Sequence, residues 1–253
     1  MNSPVTDKGQ VFIGTSGFSY SHWGKGVFYP KQLKSVDWLN YYSGSFNTVE
    51  LNNTFYRLPS EETLKHWYEA TPPDFIFAVK GNRFITHLKR LKHAEEDIRS
   101  FLARISSLKQ KLGPVLFQLP PSLPLSLERL EDFLNILRSQ SIVPVLRTAL
   151  EVRHSSWLVP EVFEQLKDAN VAICWMDWPE LLVQGPVTAD FIYIRRHGPT
   201  SRYSSFYSPE RLQVDAARIA YLLQAGHDVY LYFNNDACSY AVKNAQQLKR
   251  LIS

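Results

Sequence analysis

Short apolar segments rich in β-branched and aromatic residues recur along the chain, and their lengths are typical of buried β-strands. They are VFIG at 11, TVEL at 48, FIFAV at 75, VLFQL at 115, ALEV at 149, VAICW at 171, FIYIR at 191 and VYLYF at 229. The pattern therefore predicts eight strands.

Between most of these strands, apolar residues recur with the period of an α-helix. The three clearest stripes are Ile98, Phe101, Leu102, Ile105 and Leu108; Leu127, Leu130, Phe133, Leu134 and Leu137; and Leu212, Ala216, Ile219, Ala220 and Leu223. Ser208 followed by Pro209 predicts the start of the third helix and Gly226 its end, and Ser60 and Ser126 are predicted N-caps of two others.

Strands that alternate with helices predict parallel strands joined by crossover helices, and eight such units predict a single (β/α)₈ TIM-type barrel. The segment between the sixth and seventh strands is too short for a full crossover helix, so we expect an incomplete helix there. A doubly wound open sheet is the alternative, but GTSGFSY stands where its nucleotide-binding glycine motif would follow the first strand. We predict an N-terminal tail at 1–10 and one domain at 11–253.

Alternate residues of a barrel strand point inward, so each strand should present its polar residues to one side. In ALEVR, for example, Glu151 and Arg153 share the inward face with Ala149. The same rule places further polar residues at the carboxyl ends of the other strands: Glu50 and Asn52, Lys80, Gln118, Asp177, Arg195 and His197, and Asn234. Because active sites of such barrels lie at this end, we expect these side chains to converge on one concave rim.

The composition permits an anionic partner without requiring one. The 253 residues carry a formal charge of +4, and the lysines and arginines are spread along the chain. Cys174 and Cys238 lie far apart, with no disulfide or zinc spacing. No run of apolar residues is long enough for a signal peptide or a membrane span, so we expect a cytoplasmic protein without a membrane partner, and no obligate protein partner is evident.

The predicted rim favours an anionic small molecule, because Lys80, Arg153 and Arg195 project into it and Arg83 lies one short loop away. The entry to the last helix at Asp236 and Ala237 adds backbone N–H groups at a frequent phosphate position of this fold. Rim aromatic residues, including Tyr20 and Trp23, are suited to stacking on sugars or bases, whereas Phe55 and Trp157 are expected to pack within loops.

Candidate acid–base groups are Glu50, Glu151, Asp177 and His197, with the carboxylates kept ionised by neighbouring cations. Cys174 falls in the outward phase and no GxSxG motif is present, which disfavours serine or cysteine acyl chemistry. The same acids, with His154 and His197, are acceptable metal ligands, but HxH and HExxH motifs are absent. We therefore predict no metal site, and no motif requires a cofactor.

Seven motifs, taken together, resemble the YecE-like family of domain-of-unknown-function proteins from about residue 11 to the C-terminus. They are GTSGFSYSHW (14–23), FNTVELNNTFYRLP (46–59), FIFAVKGNRFITH (75–87), LGPVLFQLPP (112–121), EVRHSSW (151–157), TADFIYIRRHGP (188–199) and VYLYFNNDACSYAVKNA (229–245). The resemblance implies a TIM-type barrel and no particular reaction. The polar positions it matches are Tyr20, Trp23, Glu50, Asn52, Lys80, Arg83, His87, Gln118, Glu151, Arg153, His154, Arg195, His197, Asn234, Asn235 and Asp236.

The leading hypothesis is an enzyme that binds a phosphorylated sugar or nucleotide-like compound, with Arg153, Arg195 and Lys80 holding the anion. Glu151 or Glu50 would then act as general base and His197 as proton partner. Three alternatives stay open: a protein that binds or processes nucleic acid, a divalent-metal-dependent hydrolase or isomerase, and a scaffold without catalysis.

Overall fold

The computed structural model describes residues 8–140, 146–178, 180–201 and 203–252. Strands and helices alternate along it. The strands are β1 (Val11–Thr15), β2 (Thr48–Leu51), β3 (Ile76–Lys80), β4 (Leu112–Gln118), β5 (Thr148–Glu151), β6 (Val171–Ile173), β7 (Trp175–Trp178), β8 (Leu181–Val183), β9 (Phe191–Arg196) and β10 (Asp228–Phe233). The α-helices are α1 (Trp38–Ser43), α2 (Glu61–Glu69), α3 (Glu95–Ile105), α4 (Leu127–Arg138), α5 (Pro160–Asp168), α6 (Pro209–Gln224) and α7 (Tyr240–Ile252). Of the predicted tail, residues 1–7 lie outside the described residues.

The strands form two five-stranded sheets, with the orders β1-β10-β9-β7-β8 and β2-β3-β4-β5-β6. Every pair is parallel except β7 with β8. The prediction of an α/β fold with parallel sheets is therefore confirmed.

The sheets approach each other at two places. The predicted sixth strand divides at Cys174, so that β6 pairs with β5 of one sheet and β7 pairs with β9 of the other. On the opposite side, the Gly17 N–H donates to the Glu50 carbonyl at 2.8 Å. A Cβ atom at Gly14 would lie 2.3 Å from the Thr48 carbonyl oxygen, so β1 and β2 pack backbone to backbone and only glycine fits there.

The short segment after the sixth predicted strand has no helix in its described residues. Instead, β8 turns back antiparallel to β7, with Met176 opposite Val183. A full crossover helix is absent from these described residues, as expected, but the prediction of an incomplete helix is wrong, because an antiparallel strand takes its place.

The predicted helix starts are confirmed by capping geometry. The side chains of Ser60, Ser126 and Ser208 each accept a hydrogen bond from the backbone N–H three residues later. Gly226 has a φ of 87° just after α6, the helix of the third apolar stripe, and glycine adopts this conformation without strain. All five residues of the first apolar stripe are buried. In the second and third stripes, Leu127 and Ala220 are exposed. Within the described residues, no helix combines the length and apolar character needed to cross a membrane.

Candidate functional site

Arg195 of β9 lies at the centre of a buried ionic cluster at the carboxyl ends of the strands. Its guanidinium donates to Glu50 at 2.9 Å through Nη2 and to Glu151 at 2.7 Å through Nη1. The residue is 1% exposed and both carboxylates are fully buried. Because Glu50 and Glu151 belong to the sheet opposite β9, one guanidinium holds the two sheets together here.

The Glu50 carboxylate is buried and accepts three hydrogen bonds. Oε1 accepts from Ser16 Oγ at 2.6 Å in addition to Arg195, and Oε2 accepts from the Tyr193 hydroxyl at 2.7 Å. These donors come from the end of β1 and from β9. Because the carboxylate is fully buried and most of its lone pairs are taken by these donors, the geometry does not favour Glu50 as a general base.

The Glu151 carboxylate is held in the same way, by Arg153 at Oε1 and Arg195 at Oε2. Burial acts to raise the pKa of Glu151, but the charges of Arg153 and Arg195 outweigh it and keep the pKa below its usual range. A carboxylate stabilised in its ionised form to this extent is a weak base. The predicted convergence of Glu151 with Arg153 is present, and its effect is to pair the charges.

His197 is a buried neutral imidazole between Arg153 and Asn234. Burial and the Arg195 charge hold its pKa well below the usual range. Arg153 Nη2 donates toward Nε2 at 3.1 Å, and the Asn234 side-chain amide nitrogen lies 3.2 Å from Nδ1. His197 therefore orients Arg153, and its ring makes a T-shaped contact with the Trp178 ring.

The inward phase predicted for the sixth strand is wrong. In the register of β7 with β9, Met176 is opposite Arg195, so 174, 176 and 178 face the cluster. Cys174, expected to face outward, points its Sγ at Glu151 Oε2 from 3.9 Å. Burial and the Glu151 charge raise the thiol pKa well above its usual value, so Cys174 stays protonated and is a poor nucleophile.

Asp177 lies behind the cluster, because the same register turns it away from Arg195. One carboxylate oxygen accepts from the His197 backbone N–H at 2.7 Å and the other from the Tyr207 hydroxyl. Burial raises the Asp177 pKa against the opposing charge of Arg196. Asp177 positions the His197 backbone and, contrary to the sequence prediction, does not project into the rim.

A pocket of about 940 Å³ opens above Arg195 at this end of the sheets. Its walls bring together predicted residues from both sheets and several that the prediction did not include. The lining residues are Tyr20, His22, Val27, Asn52, Phe55, Tyr56, Lys80, Arg195, Tyr203, Asn234, Asp236, Ala237, Cys238, Ser239 and Lys243. The expected concave rim is present, although much of the ionic cluster lies beneath its surface.

Lys80, at the end of β3, carries the ammonium that the cluster leaves unpaired. Among the described residues, its Nζ has no hydrogen-bond or ion-pair partner, and it lies 4.3 Å from the centroid of the Phe55 ring. Burial, with the nearby charge of Arg195, lowers its pKa from 10.5 to about 8. The two buried glutamates balance Arg153 and Arg195, so Lys80 gives the buried ionic cluster its excess positive charge.

Asp236 is the acidic group of the pocket wall. It accepts from Trp23 Nε1 at 2.7 Å and pairs with His22 Nε2 at 2.8 Å. Burial raises its pKa from 3.8 to about 6 despite these partners. The Ala237 N–H, expected to be open to a phosphate, instead donates to the Tyr203 carbonyl at 2.9 Å, which contradicts that prediction.

The remaining predicted binding residues lie outside the pocket lining. His154 caps the turn Ser155–Trp157 through its ring, and Asn235 donates to Ser205 and to Asn244 of α7. Trp23 is buried and reaches the site only through Asp236. Arg83 is exposed, Gln118 is half-buried opposite Glu151, and burial and the Lys80 charge lower the His87 pKa to about 4.

Both aromatic residues that were expected to pack do make packing contacts. Trp157 is buried and donates to the Leu123 carbonyl, as expected of a loop anchor. The Phe55 ring contacts Tyr56 of its own loop, and it also lines the pocket beside Lys80.

Sequence reasoning missed Ser16 and Tyr193 as partners of Glu50. Tyr193 shares the inward phase with Arg195, so that alternation was the signal available for it. Trp178 was expected among the rim aromatic residues, but its contact with Arg153, whose guanidinium carbon lies 3.7 Å from the ring centroid, was not foreseen.

The donor set does not fit a divalent metal ion. In the described parts of the chain, no three or more His, Cys, Asp or Glu side chains are grouped so as to hold one. The acids proposed as ligands, Glu50 and Glu151, already accept from guanidinium groups. Arginines at both carboxylates would repel a cation.

Comparisons with known proteins identify two relatives that match this chain over different lengths. UPF0759 protein YecE of Escherichia coli (strain K12) is 31% identical over 61% of this chain, and that match spans only about half, 53%, of the relative. UPF0759 protein YunF of Bacillus subtilis (strain 168) is 26% identical, with 96% of this chain and 94% of YunF covered.

Solved structures agree with these relatives. The crystal structure of a DUF72 family protein from Thermotoga maritima MSB8 is 35% identical, covers 96% of this chain and 99% of its own, and superposes with a TM-score of 0.84. The family model described as "Protein of unknown function DUF72" matches residues 12–253. The chain therefore belongs to the DUF72 family, in agreement with the YecE-like motifs of its sequence.

Proposed function

We propose that this protein is an enzyme that binds an anionic small molecule, a phosphorylated sugar or a nucleotide-like compound, in the pocket above Arg195. The observation that carries the proposal is the Lys80 ammonium, which is largely buried, lines the pocket and has no partner among the described residues. An unpaired buried charge is costly unless a ligand of opposite charge compensates it.

The pocket walls suit a ligand that has a flat or ring-shaped part beside its anionic group. Tyr20, Phe55, Tyr56 and Tyr203 all line it, and Tyr56 is 72% exposed. Aromatic faces of this kind stack on sugars and bases. The anion would lie toward Lys80, while Arg195, already paired with the two glutamates, would shape the floor.

The acid–base groups that face the ligand are Lys80 and Asp236, in place of Glu50, Glu151 and His197. Their pKa values of about 8 and about 6 lie on either side of neutrality. A proton donor and a proton acceptor in this range are suited to general acid–base chemistry at neutral pH. The buried glutamates and His197 would position the guanidinium floor.

We also propose that the two sheets close into one (β/α)₈-type barrel that forms a single domain from residue 11. Three contacts support this: the chain passes from β6 to β7 through Cys174, Gly17 bonds to Glu50, and Gly14 packs on Thr48. The Arg195 bridge to Glu50 and Glu151 crosses the same interior.

Isothermal titration calorimetry with phosphorylated sugars and nucleotides tests the binding proposal. We expect Lys80→Met to weaken binding by about 10- to 100-fold, the worth of one charge-assisted hydrogen bond. Lys65→Met, which removes an exposed lysine of α2 that does not line the pocket, is the matched control and should bind like the wild type.

Two results would contradict the proposal: no binding of any anionic compound by the wild-type protein, or equal affinity in Lys80→Met. Tight oligonucleotide binding that falls steeply with salt would instead favour the nucleic-acid alternative.

A further inference from the structure

We infer that Lys80 forms an imine with the carbonyl group of its ligand, so that the bound compound is an aldehyde or ketone that also carries an anionic group. This inference rests on the proposed binding function and adds a covalent step to it. The geometry supports it through the placement of Nζ, its lack of partners and the pocket around it.

The first argument is a comparison with another buried lysine of this chain. Lys111 is 3% exposed, and its Nζ donates to the carbonyl oxygens of Tyr68 and Thr71 at 2.6 and 2.7 Å and to Thr71 Oγ1 at 3.1 Å. All three protons of that ammonium are used, so it has a structural role. Among the described residues, Lys80 is instead left with its amine free to react.

The second argument is that the Lys80 backbone is held in place. Its carbonyl oxygen accepts from Thr54 Oγ1 at 2.6 Å, and β3 is paired on both sides, with β2 and β4. The Phe55 ring lies on one side of Nζ. A nucleophile carried by a paired strand and packed against an aromatic ring reacts with less loss of conformational freedom than a lysine on the surface.

The third argument is the protonation of the amine. The lowered pKa of Lys80, about 8, leaves about a tenth of the amine neutral at pH 7, which is about two orders of magnitude more than for an ordinary lysine. Desolvation next to another cation is a general way to activate a lysine toward carbonyl compounds. Here the neighbouring cation is Arg195.

The step balances without a redox partner. The neutral amine attacks the carbonyl carbon, the C–N bond forms, and the oxygen takes up protons and leaves as water. Asp236 lines the same pocket and, with a pKa of about 6, can exchange those protons at neutral pH. The products are the iminium form of Lys80 and one water molecule.

Reductive trapping tests the inference. The full-length protein is incubated at pH 7 with pyridoxal 5′-phosphate, an aldehyde that carries a phosphate, and sodium cyanoborohydride, and the modified lysines are then quantified by peptide mass spectrometry. Hydride from the reagent converts an imine into a stable secondary amine. We expect Lys80 to be modified about tenfold or more faster than the exposed Lys65, and Lys111 to remain unmodified.

Because Lys65 and Lys111 belong to the same molecule, this comparison does not depend on the folding of a variant. Modification of Lys80 no faster than that of Lys65 would overturn the inference. In Lys80→Arg, which retains the positive charge, the fast adduct should disappear while Lys65 reacts as before. A fast adduct that persists in this variant would place the reactive amine elsewhere.

Two further probes separate the imine from the binding proposal. Pyridoxal without its phosphate should react with Lys80 more slowly; an equal rate would retain the imine and contradict anion binding. If sugar phosphates bind in calorimetry but Lys80 gives no adduct with either aldehyde, the imine is overturned and the binding proposal stands.

Discussion

Arg195 and Arg196 are consecutive residues of β9, yet they form ion pairs on opposite faces of the sheet. Arg196 faces outward and pairs with Asp215 of α6, with Nε 2.9 Å from Oδ2 and a second contact from Nη2. Arg195 faces inward and bridges Glu50 and Glu151. Both side chains are almost completely buried.

The difference between the two pairs lies in their charge balance. The outer pair contains one cation and one anion and joins a strand to a helix. The inner cluster contains two carboxylates, two guanidinium groups and the Lys80 ammonium, and Arg195 and Lys80 also line the pocket. A buried ion pair that balances is sufficient for structure, whereas an excess charge beside a pocket indicates a site for a ligand.

The largest effect on the inner cluster is expected from Glu151→Gln. The amide has nearly the shape of the carboxylate but cannot neutralise Arg153 and Arg195, so two guanidinium groups are left with one buried carboxylate. We expect the free energy of unfolding to fall by about 3–5 kcal/mol. Urea denaturation measures it, and a loss below about 1 kcal/mol would show that this pairing contributes little to the fold.

Asp215→Asn should separate the outer pair from the inner one. It leaves Arg196 without its partner, and we expect a loss of about 3 kcal/mol in urea denaturation. Because Asp215 lies outside the pocket, the affinity for a phosphorylated ligand should stay within about twofold of the wild type. A larger loss of affinity would mean that the two faces of β9 are coupled.

Methionine at Lys111 and at Lys80 compares an ammonium that donates three hydrogen bonds with one that donates none to the described residues. Lys111→Met removes a donor from three acceptors and should cost about 2 kcal/mol. Lys80→Met removes a desolvated charge without a hydrogen bond, so the free energy of unfolding should stay the same or rise. Thermal and urea unfolding of both variants provide the measurement, and a destabilised Lys80→Met would point to a contact that supports the fold.

The affinity for an anion should depend on pH through two groups of the pocket. When the pH falls through about 6, Asp236 becomes neutral and repulsion of the anion is relieved, so affinity should increase several-fold. When the pH rises through about 8, Lys80 loses its charge and affinity should decrease.

A sulfated ligand is the appropriate probe for calorimetry, because a phosphate itself titrates near pH 6. In Asp236→Asn, the increase in affinity near pH 6 should disappear, while the decrease near pH 8 should remain. If the increase near pH 6 persists in this variant, a group other than Asp236 causes it.

Lys80 should also make the stability of the fold depend on alkaline pH. The Lys80 pKa is about 8 in the folded protein against 10.5 as the ordinary value, so between these values the unfolded chain binds more protons. Folding stability contributed by this group therefore rises with pH across that window. Urea denaturation at about pH 7.5 and about pH 10, each about half a unit below one of the two pKa values, measures the effect. The difference in the free energy of unfolding between the wild type and Lys80→Met should be larger at about pH 10 than at about pH 7.5. An equal difference at both pH values would contradict the lowered pKa.

Local patterns were enough to predict much of the fold. Strand segments follow from short apolar runs, and the starts of three helices follow from Ser60, Ser126 and Ser208, because both signals depend on neighbouring residues. The inward phase of β9 was also accessible, since Tyr193 and Arg195 alternate with apolar residues.

The phase of β7 was not accessible in this way, because both of its faces carry large side chains. The polar residue near its end, Asp177, looked like the site residues of the other strands, but pairing of Met176 with Arg195 sets the opposite phase. Likewise, nothing in the sequence indicates that Arg195 reaches both Glu50 and Glu151, which leaves Lys80 as the unpaired cation. Such pairings depend on distances between strands that are far apart in the chain.

The Arg195 bridge also bears on how such a protein can diversify. Its guanidinium joins strands of two sheets and at the same time forms the floor beneath the ligand. A substitution that altered this floor would destabilise the fold at the same time as it changed the specificity. New specificities should therefore arise at exposed rim side chains such as Tyr56, which can be replaced without disturbing the buried ionic cluster.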